Sequence, residues 1–197
     1  MELVLIRHGR IAGYPYRPRD HTPLGELGRE QARLVAERLS GESPFDRLVC
    51  SPLVRAHQTG QIVAERLHMQ MEVIAALREM TNREIGRVAL AEMTDQVMGR
   101  YGMVRYVGAW LRKPFMERVR EATTQLIREY PEQRVLVISH GGFIWGALAH
   151  FFPEQRKQLS RRRQVANCSI TRIRVAPGGA TLVELNEVGH LGDCITY

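Results

Sequence analysis

Two arginines, two histidines and a glutamate, carried by four short segments, are the side chains of this sequence best suited to chemistry. The segments are Leu5-Ile6-Arg7-His8-Gly9, Ser51-Pro52-Leu53-Val54-Arg55-Ala56, Leu77-Arg78-Glu79 and Ser139-His140-Gly141. A phosphate monoester dianion is matched by planar guanidinium forks, which Arg7 and Arg55 supply. An unprotonated imidazole aimed in line attacks phosphorus, and guanidinium charge beside His8 disfavours its protonation. A second imidazole, His140, can donate hydrogen bonds to the equatorial oxygens as charge develops. A leaving alkoxide needs a proton, and Glu79 is the first choice of donor, with Glu84 its competitor in the same turn. Together these residues point to phosphoryl transfer without a metal ion.

The rest of the sequence narrows the chemistry toward histidine. His21, His57, His68, His150 and His190 lack a ligand-like spacing, so no metal centre is expected. No Walker loop, no Gly-x-Ser-x-Gly elbow and no Cys-x5-Arg phosphatase loop is read around any cysteine. Cys50, Cys168 and Cys194 are odd in number and widely spaced, which fits a reducing compartment rather than a disulfide framework.

Strands and helices must deliver these residues to one place. Glu2 to Arg7 is an apolar run of strand length that stops at a glycine, putting His8 at a strand's C-terminal end. Residues Arg10 to Pro23, with Gly13, Pro15, Pro18 and Pro23, read as an irregular loop overhanging the site. Helical spacing runs from Glu26 to Leu39, ended by Ser40-Gly41. A second strand, Arg47 to Cys50, leads to a helix reaching Leu67, with Pro52 where a first turn tolerates proline and Arg55 in that first turn. Met71 to Ile74 and Arg134 to Ile138 read as further strands. Phe115 to Tyr130 and Gly142 to Phe151 read as helices. Ser169 to Val175 and Ala180 to Leu185 read as a hairpin added to the sheet. This alternation predicts an α/β sandwich of three layers with a mostly parallel sheet, whose ligands gather beyond the strands' carboxyl ends. The 197 residues form a single domain on this reading, and the glycine-rich stretch from Gly86 to Lys113 forms a small helical lid.

Composition adds bounds. With 44% apolar residues a substantial core is available. No uncharged run approaches membrane-spanning length, so a cytoplasmic protein without a membrane partner is expected. The net charge of +7 rests on arginine, since Lys113 and Lys157 are the only lysines. Arg161-Arg162-Arg163 is dense enough to touch a phosphate backbone, but no aromatic residues interleave with it, and no nucleic-acid partner is expected. Nothing in the sequence indicates an oligomeric state.

The four segments resemble the signature motifs of the histidine phosphatase superfamily, the clan that contains cofactor-dependent phosphoglycerate mutases. Leu5 to Gly9 is similar to its Arg-His-Gly signature. Pro23-Leu24-Gly25-Glu26-Leu27-Gly28 with Glu30-Gln31-Ala32 resembles the approach to its first helix, and Ser51 to Ala56 with Gln58-Thr59 its second motif. The resemblance implies a phosphoglycerate mutase-like three-layer fold, and a phosphohistidine formed on His8. It further implies that Arg7, Arg55 and His140 hold the phosphoryl group together with His8, and that Glu79 protonates the leaving oxygen. It implies a metal-independent phosphomonoesterase of histidine acid phosphatase type, with no cofactor, taking a small phosphorylated metabolite and releasing inorganic phosphate. Departures fall beside the site: Arg10 to Tyr14 lacks the usual Thr or Ser and then Asn, Met80 to Gly86 lacks the usual Gly-x-Trp-Glu-Gly run, and Gly25 replaces a capping Thr or Ser. Arg10, Asn82 and Arg83, in the two divergent loops, are the candidate substrate-binding residues. A brief lid without a carboxylate clamp favours phosphatase over mutase, and the departures leave a phosphate-binding pseudoenzyme as a further alternative.

Overall fold

The computed structural model describes residues 1–13, 20–80, 113–155 and 165–197. Asn82, Arg83, Glu84, the basic run 161–163 and all of the expected lid except its last residue lie outside the described residues.

Six strands form one sheet: β1 (Glu2–Arg7), β2 (Arg47–Cys50), β3 (Met71–Val73), β4 (Arg134–Ser139), β5 (Ile170–Ala176) and β6 (Gly179–Glu187). Their order is β3-β2-β4-β1-β5-β6. The first four run parallel, while β5 is antiparallel to β1 and forms the expected hairpin with β6. The described helices are α1 (Glu26–Ser40), α2 (Val54–Leu67), α3 (Lys113–Glu129) and α4 (Gly141–Phe151).

Alternation along the strands builds two cores, because successive side chains point to opposite faces. Leu3, Leu5, Val135 and Val137 face α3 and α4, where Val119, Ala122, Leu126, Phe143 and Leu148 complete one apolar layer. Val4, Ile6, Leu136 and Ile138 face α1 and α2, packing on Val35, Ala36, Leu39 and Val63. With helices on both faces, the parallel strands are buried throughout and read as continuous apolar runs. The result is the expected three-layer sandwich.

Local boundaries differ where proline and backbone geometry decide them. Pro52 lies outside α2, not in its first turn, because Leu53 is the extended residue that caps the helix before Val54. A proline also disfavours helical geometry in the residue before it, and Ser51 lies between the end of β2 and the start of α2. Gly25 caps α1 without a side-chain bond, and its amide donates to the Arg10 carbonyl at 2.9 Å. Two glycines are required by contact rather than by conformation. A Cβ on Gly9 would lie 2.3 Å from the Gly28 carbonyl oxygen, and a Cβ on Gly28 would lie 1.9 Å from that of Arg10. The start of α1 therefore rests directly on the loop that carries His8. Among the described residues no helix is long and apolar enough to cross a membrane.

Candidate active site

Register brings the four segments together. Parallel pairing of Arg7 with Ser139 and of Cys50 with Ile138 leaves His8, Ser51 and His140 just past three adjacent strand ends. The short 3-10 turn Ala75–Leu77 after β3 delivers Glu79 beside them. This is the carboxyl edge of the parallel strands, where open α/β sheets gather ligands.

His8 is 7% exposed. Its Nδ1 lies 2.7 Å from the Gly9 carbonyl oxygen. A carbonyl only accepts, so Nδ1 carries the proton and Nε2 presents a lone pair. Arg55 Nε donates to that Nε2 at 3.2 Å. Burial, then the charges of Arg7 and Arg55, hold the His8 ring well below the usual imidazole range. The nucleophilic form is thus the resident form. The loop backbone is fixed by bonds from distant elements. Asn167 Nδ2 donates to the His8 carbonyl at 2.8 Å, Gly9 N donates to Thr59 Oγ1 at 3.1 Å, and His8 N donates to the Ser139 carbonyl at 2.9 Å.

His140 is fully buried and stands at the N-cap of α4. Its ring meets that of His8 edge-on, with centroids 5.1 Å apart. Its Nε2 lies 2.7 Å from Ser51 Oγ. Burial, followed by the neighbouring His8, Arg55 and Arg7, holds this ring too well below its ordinary range. Both imidazoles are therefore neutral at neutral pH.

Arg55 is buried in the first turn of α2, and its carbonyl accepts from Thr59 Oγ1 at 2.8 Å. Arg7 donates to the Val165 carbonyl. Desolvation lowers the titration of both guanidiniums, and the charge of Glu79 is the leading opposing influence on each. Glu79 accepts from its neighbour Met80 N at 2.9 Å and from Gly142 N in the first turn of α4 at 3.1 Å. A Cβ on Gly142 would lie 2.2 Å from Glu79 Oε1, so glycine there makes the room that the carboxylate occupies. Arg118 of α3 pins the same turn, donating to the carbonyls of Ala76 (2.6 Å), Arg78 (2.9 Å) and Glu79 (3.3 Å). Ser139 Oγ ties β4 to it through the Leu77 carbonyl at 2.6 Å.

The structure thus gathers Arg7, His8, Arg55, Glu79 and His140 in one cluster at the carboxyl edge of the sheet. Arg10 follows on the adjoining loop, its amide donating to buried Gln31 at 2.8 Å. Asn167, Thr59 and Arg118, which hold the backbone of these residues, escaped sequence reasoning as functional side chains. Of these, only Thr59 left a signal, four residues after Arg55 on one helical face. The pair Cys168 and Arg174 does have Cys-x5-Arg spacing, contrary to the sequence reading. The residues between them enter β5 instead of cradling an anion, Arg174 is exposed, and burial pushes the Cys168 thiol up.

The chain is similar to known proteins along nearly its whole length. The chain is 28% identical to the adenosylcobalamin/alpha-ribazole phosphatase of Salmonella typhimurium, covering 95% of this chain and 96% of the relative. It is 26% identical to phosphoglycerate mutase-like protein 4 of Arabidopsis thaliana, over 96% of this chain and 86% of the relative. Among solved structures, phosphoglycerate mutase from Bacillus anthracis superposes with a TM-score of 0.77 at 20% identity, covering 98% of this chain and 96% of its own, which establishes the phosphoglycerate mutase-like fold. The model of the histidine phosphatase superfamily, branch 1, matches residues 3–188, and the chain belongs to that family.

Proposed function

We propose that the protein is a phosphomonoesterase that hydrolyses a small phosphorylated metabolite through a phosphohistidine on His8. The observation that carries this reading is the His8 ring itself: Nδ1 is committed to the Gly9 carbonyl, and Nε2 offers its lone pair toward the Arg55 guanidinium. A phosphoryl group that takes over the guanidinium contact sits beside that lone pair.

In the first step Nε2 attacks phosphorus, the ester P–O bond breaks, and Glu79 gives its proton to the departing oxygen. Arg7, Arg55 and His140 hold the three equatorial oxygens while charge shifts onto them. In the second step the Glu79 carboxylate takes a proton from water, the resulting oxygen attacks phosphorus, and the P–N bond breaks to release phosphate and restore His8. The relative named for α-ribazole phosphatase supports a small phosphorylated metabolite as the substrate class. Arg10, Asn82 and Arg83 are proposed to meet the rest of that molecule.

The test is release of inorganic phosphate from a panel of phosphomonoesters by the wild type and by His8→Ala. Removing a covalent nucleophile is expected to lower turnover by at least about a thousandfold. Acid-labile label on the wild-type protein should vanish with it. The mutase-like relative motivates a second arm: phosphoryl return to a phosphorylated acid, with no free phosphate, identifies a mutase instead. Binding of phosphate without either reaction identifies a pseudoenzyme.

A further inference from the structure

Ser51 lies beneath His140, fully buried, with Oγ 2.7 Å from the ring Nε2. The same Oγ accepts from the Leu53 amide at 3.3 Å. An amide only donates, so one hydroxyl lone pair is engaged by Leu53 and the single hydroxyl proton is left to place. Among the described residues Oγ has no further partner. If Nε2 carried the ring proton, Oγ would accept twice and its own proton would be stranded in a buried site. If the hydroxyl donates to Nε2, every group around Ser51 is satisfied.

That assignment has a consequence at the other ring nitrogen. His140 is neutral, so a proton excluded from Nε2 resides on Nδ1. Nδ1 is buried and has no hydrogen-bond partner among the described residues. A buried N–H without an acceptor is costly, and an anionic oxygen in the pocket is the acceptor it lacks. The opposite tautomer would turn a lone pair on the same atom toward a phosphate dianion and repel it. With Nε2 engaged by Ser51, Nδ1 is also the only ring nitrogen left to meet a ligand.

We propose that Ser51 is a positioning residue that fixes His140 as the Nδ1–H tautomer and so makes it a hydrogen-bond donor to the phosphoryl group. The phosphoryl ligand rests on the phosphatase reading, but the tautomer does not. The experiment is long-range 1H–15N correlation spectroscopy of protein labelled with 15N-histidine, which distinguishes the two neutral tautomers, with His8 as an internal Nδ1–H reference. Binding of inorganic phosphate is measured on the same samples.

The wild type is expected to show His140 as Nδ1–H. Ser51→Ala is expected to shift it toward Nε2–H and weaken phosphate binding about tenfold or more. Ser51→Thr, which keeps the hydroxyl, is expected to restore both. Wild-type His140 found as Nε2–H or as imidazolium overturns the proposal, and this readout needs no variant to fold. An unchanged tautomer in folded Ser51→Ala also overturns it, as does a changed tautomer with unchanged phosphate affinity. Neither spectrum nor affinity requires turnover, so loss of the phosphatase reading through active His8→Ala remains a separate result.

Discussion

Arginines serve opposite ends of this sheet in opposite ways. Where β1 and β4 begin, they are matched to carboxylates: Arg134 bonds Glu2 at 2.7 Å and Glu42 at 3.1 Å, while Arg172 bonds Glu42 at 2.5 Å and Glu184 at 2.8 Å. Where the same strands end, Arg7 donates to the Val165 carbonyl and Arg55 to the neutral His8 ring. The Glu79 carboxylate nearby is engaged by the amides of Met80 and Gly142. The electrostatic surroundings of the two sets differ accordingly. Burial would lower Arg172, but its bonds to Glu42 and Glu184 outweigh that and raise it. Burial lowers Arg7 and Arg55, and the opposing charges, Glu79 foremost for both and Asp20 as well for Arg55, do not reverse it. The first end is a closed ion network that ties the sheet to the α1–β2 connection. The second holds guanidinium charge at a cost in solvation that a bound dianion would offset.

The contrast can be tested from its strongest arm downward. Arg55→Ala should lower kcat/KM by about two to three orders of magnitude, as loss of a preorganised donor to a developing charge does, while the thermal midpoint changes little. A large loss of stability with activity retained in the folded fraction would place Arg55 with the structural arginines instead.

Glu42→Ala should do the reverse, costing about 1–2 kcal/mol in denaturant unfolding with kinetic constants unaltered. Burial would raise the Glu42 carboxyl, but its bonds from Arg172 and Arg134 hold it below its ordinary value. Its contribution is therefore complete at neutral pH and is lost as pH falls through and below the carboxylate range.

A smaller effect separates the ends by pH. His8 and His140 resist protonation in the fold, whereas the unfolded chain protonates them near pH 6.5. The unfolded state binds more protons there, so stability should decline as pH drops below about 6.5, by at most about 1.4 kcal/mol per unit for each ring. Unfolding curves from pH 7.5 to 5 should show this slope in the wild type and a shallower one in His8→Ala. An equal slope in both would mean that the His8 environment does not exclude the proton.

Sequence reading located what is local and missed what is set by distant pairing. The boundaries of β1 and β2 were visible because continuous apolar runs ended at Gly9 and Pro52. The convergence of Arg7, His8, Arg55, Glu79 and His140 was legible because Arg7 ends, and the others follow, a strand of one parallel set. Asn167 was not, since its bond to the His8 carbonyl depends on β5 running antiparallel beside β1. Arg118 was equally silent. It sits on the half-buried flank of an amphipathic helix, where an arginine ordinarily faces solvent, and only the packing of α3 against the Ala75–Leu77 turn gives it three carbonyls to hold. Arg55 falls in the first turn of α2 as expected, but Pro52 does not, because proline tolerance at a helix start does not say which residue adopts the extended cap.

The bonds around His8 also bear on how the protein comes to be active. The partners of the His8–Gly9 backbone are Thr59, Ser139 and Asn167, and Asn167 is itself held by the backbone and hydroxyl of Thr196. No local hairpin or single helix supplies them, so loops spanning most of the chain must close before the ring is aimed. A partly folded chain can possess β1 and α1 and still have no working pocket. Catalytic competence should be the last property gained during refolding, lagging behind helix content, and the first surrendered when Thr196 and its neighbours undock.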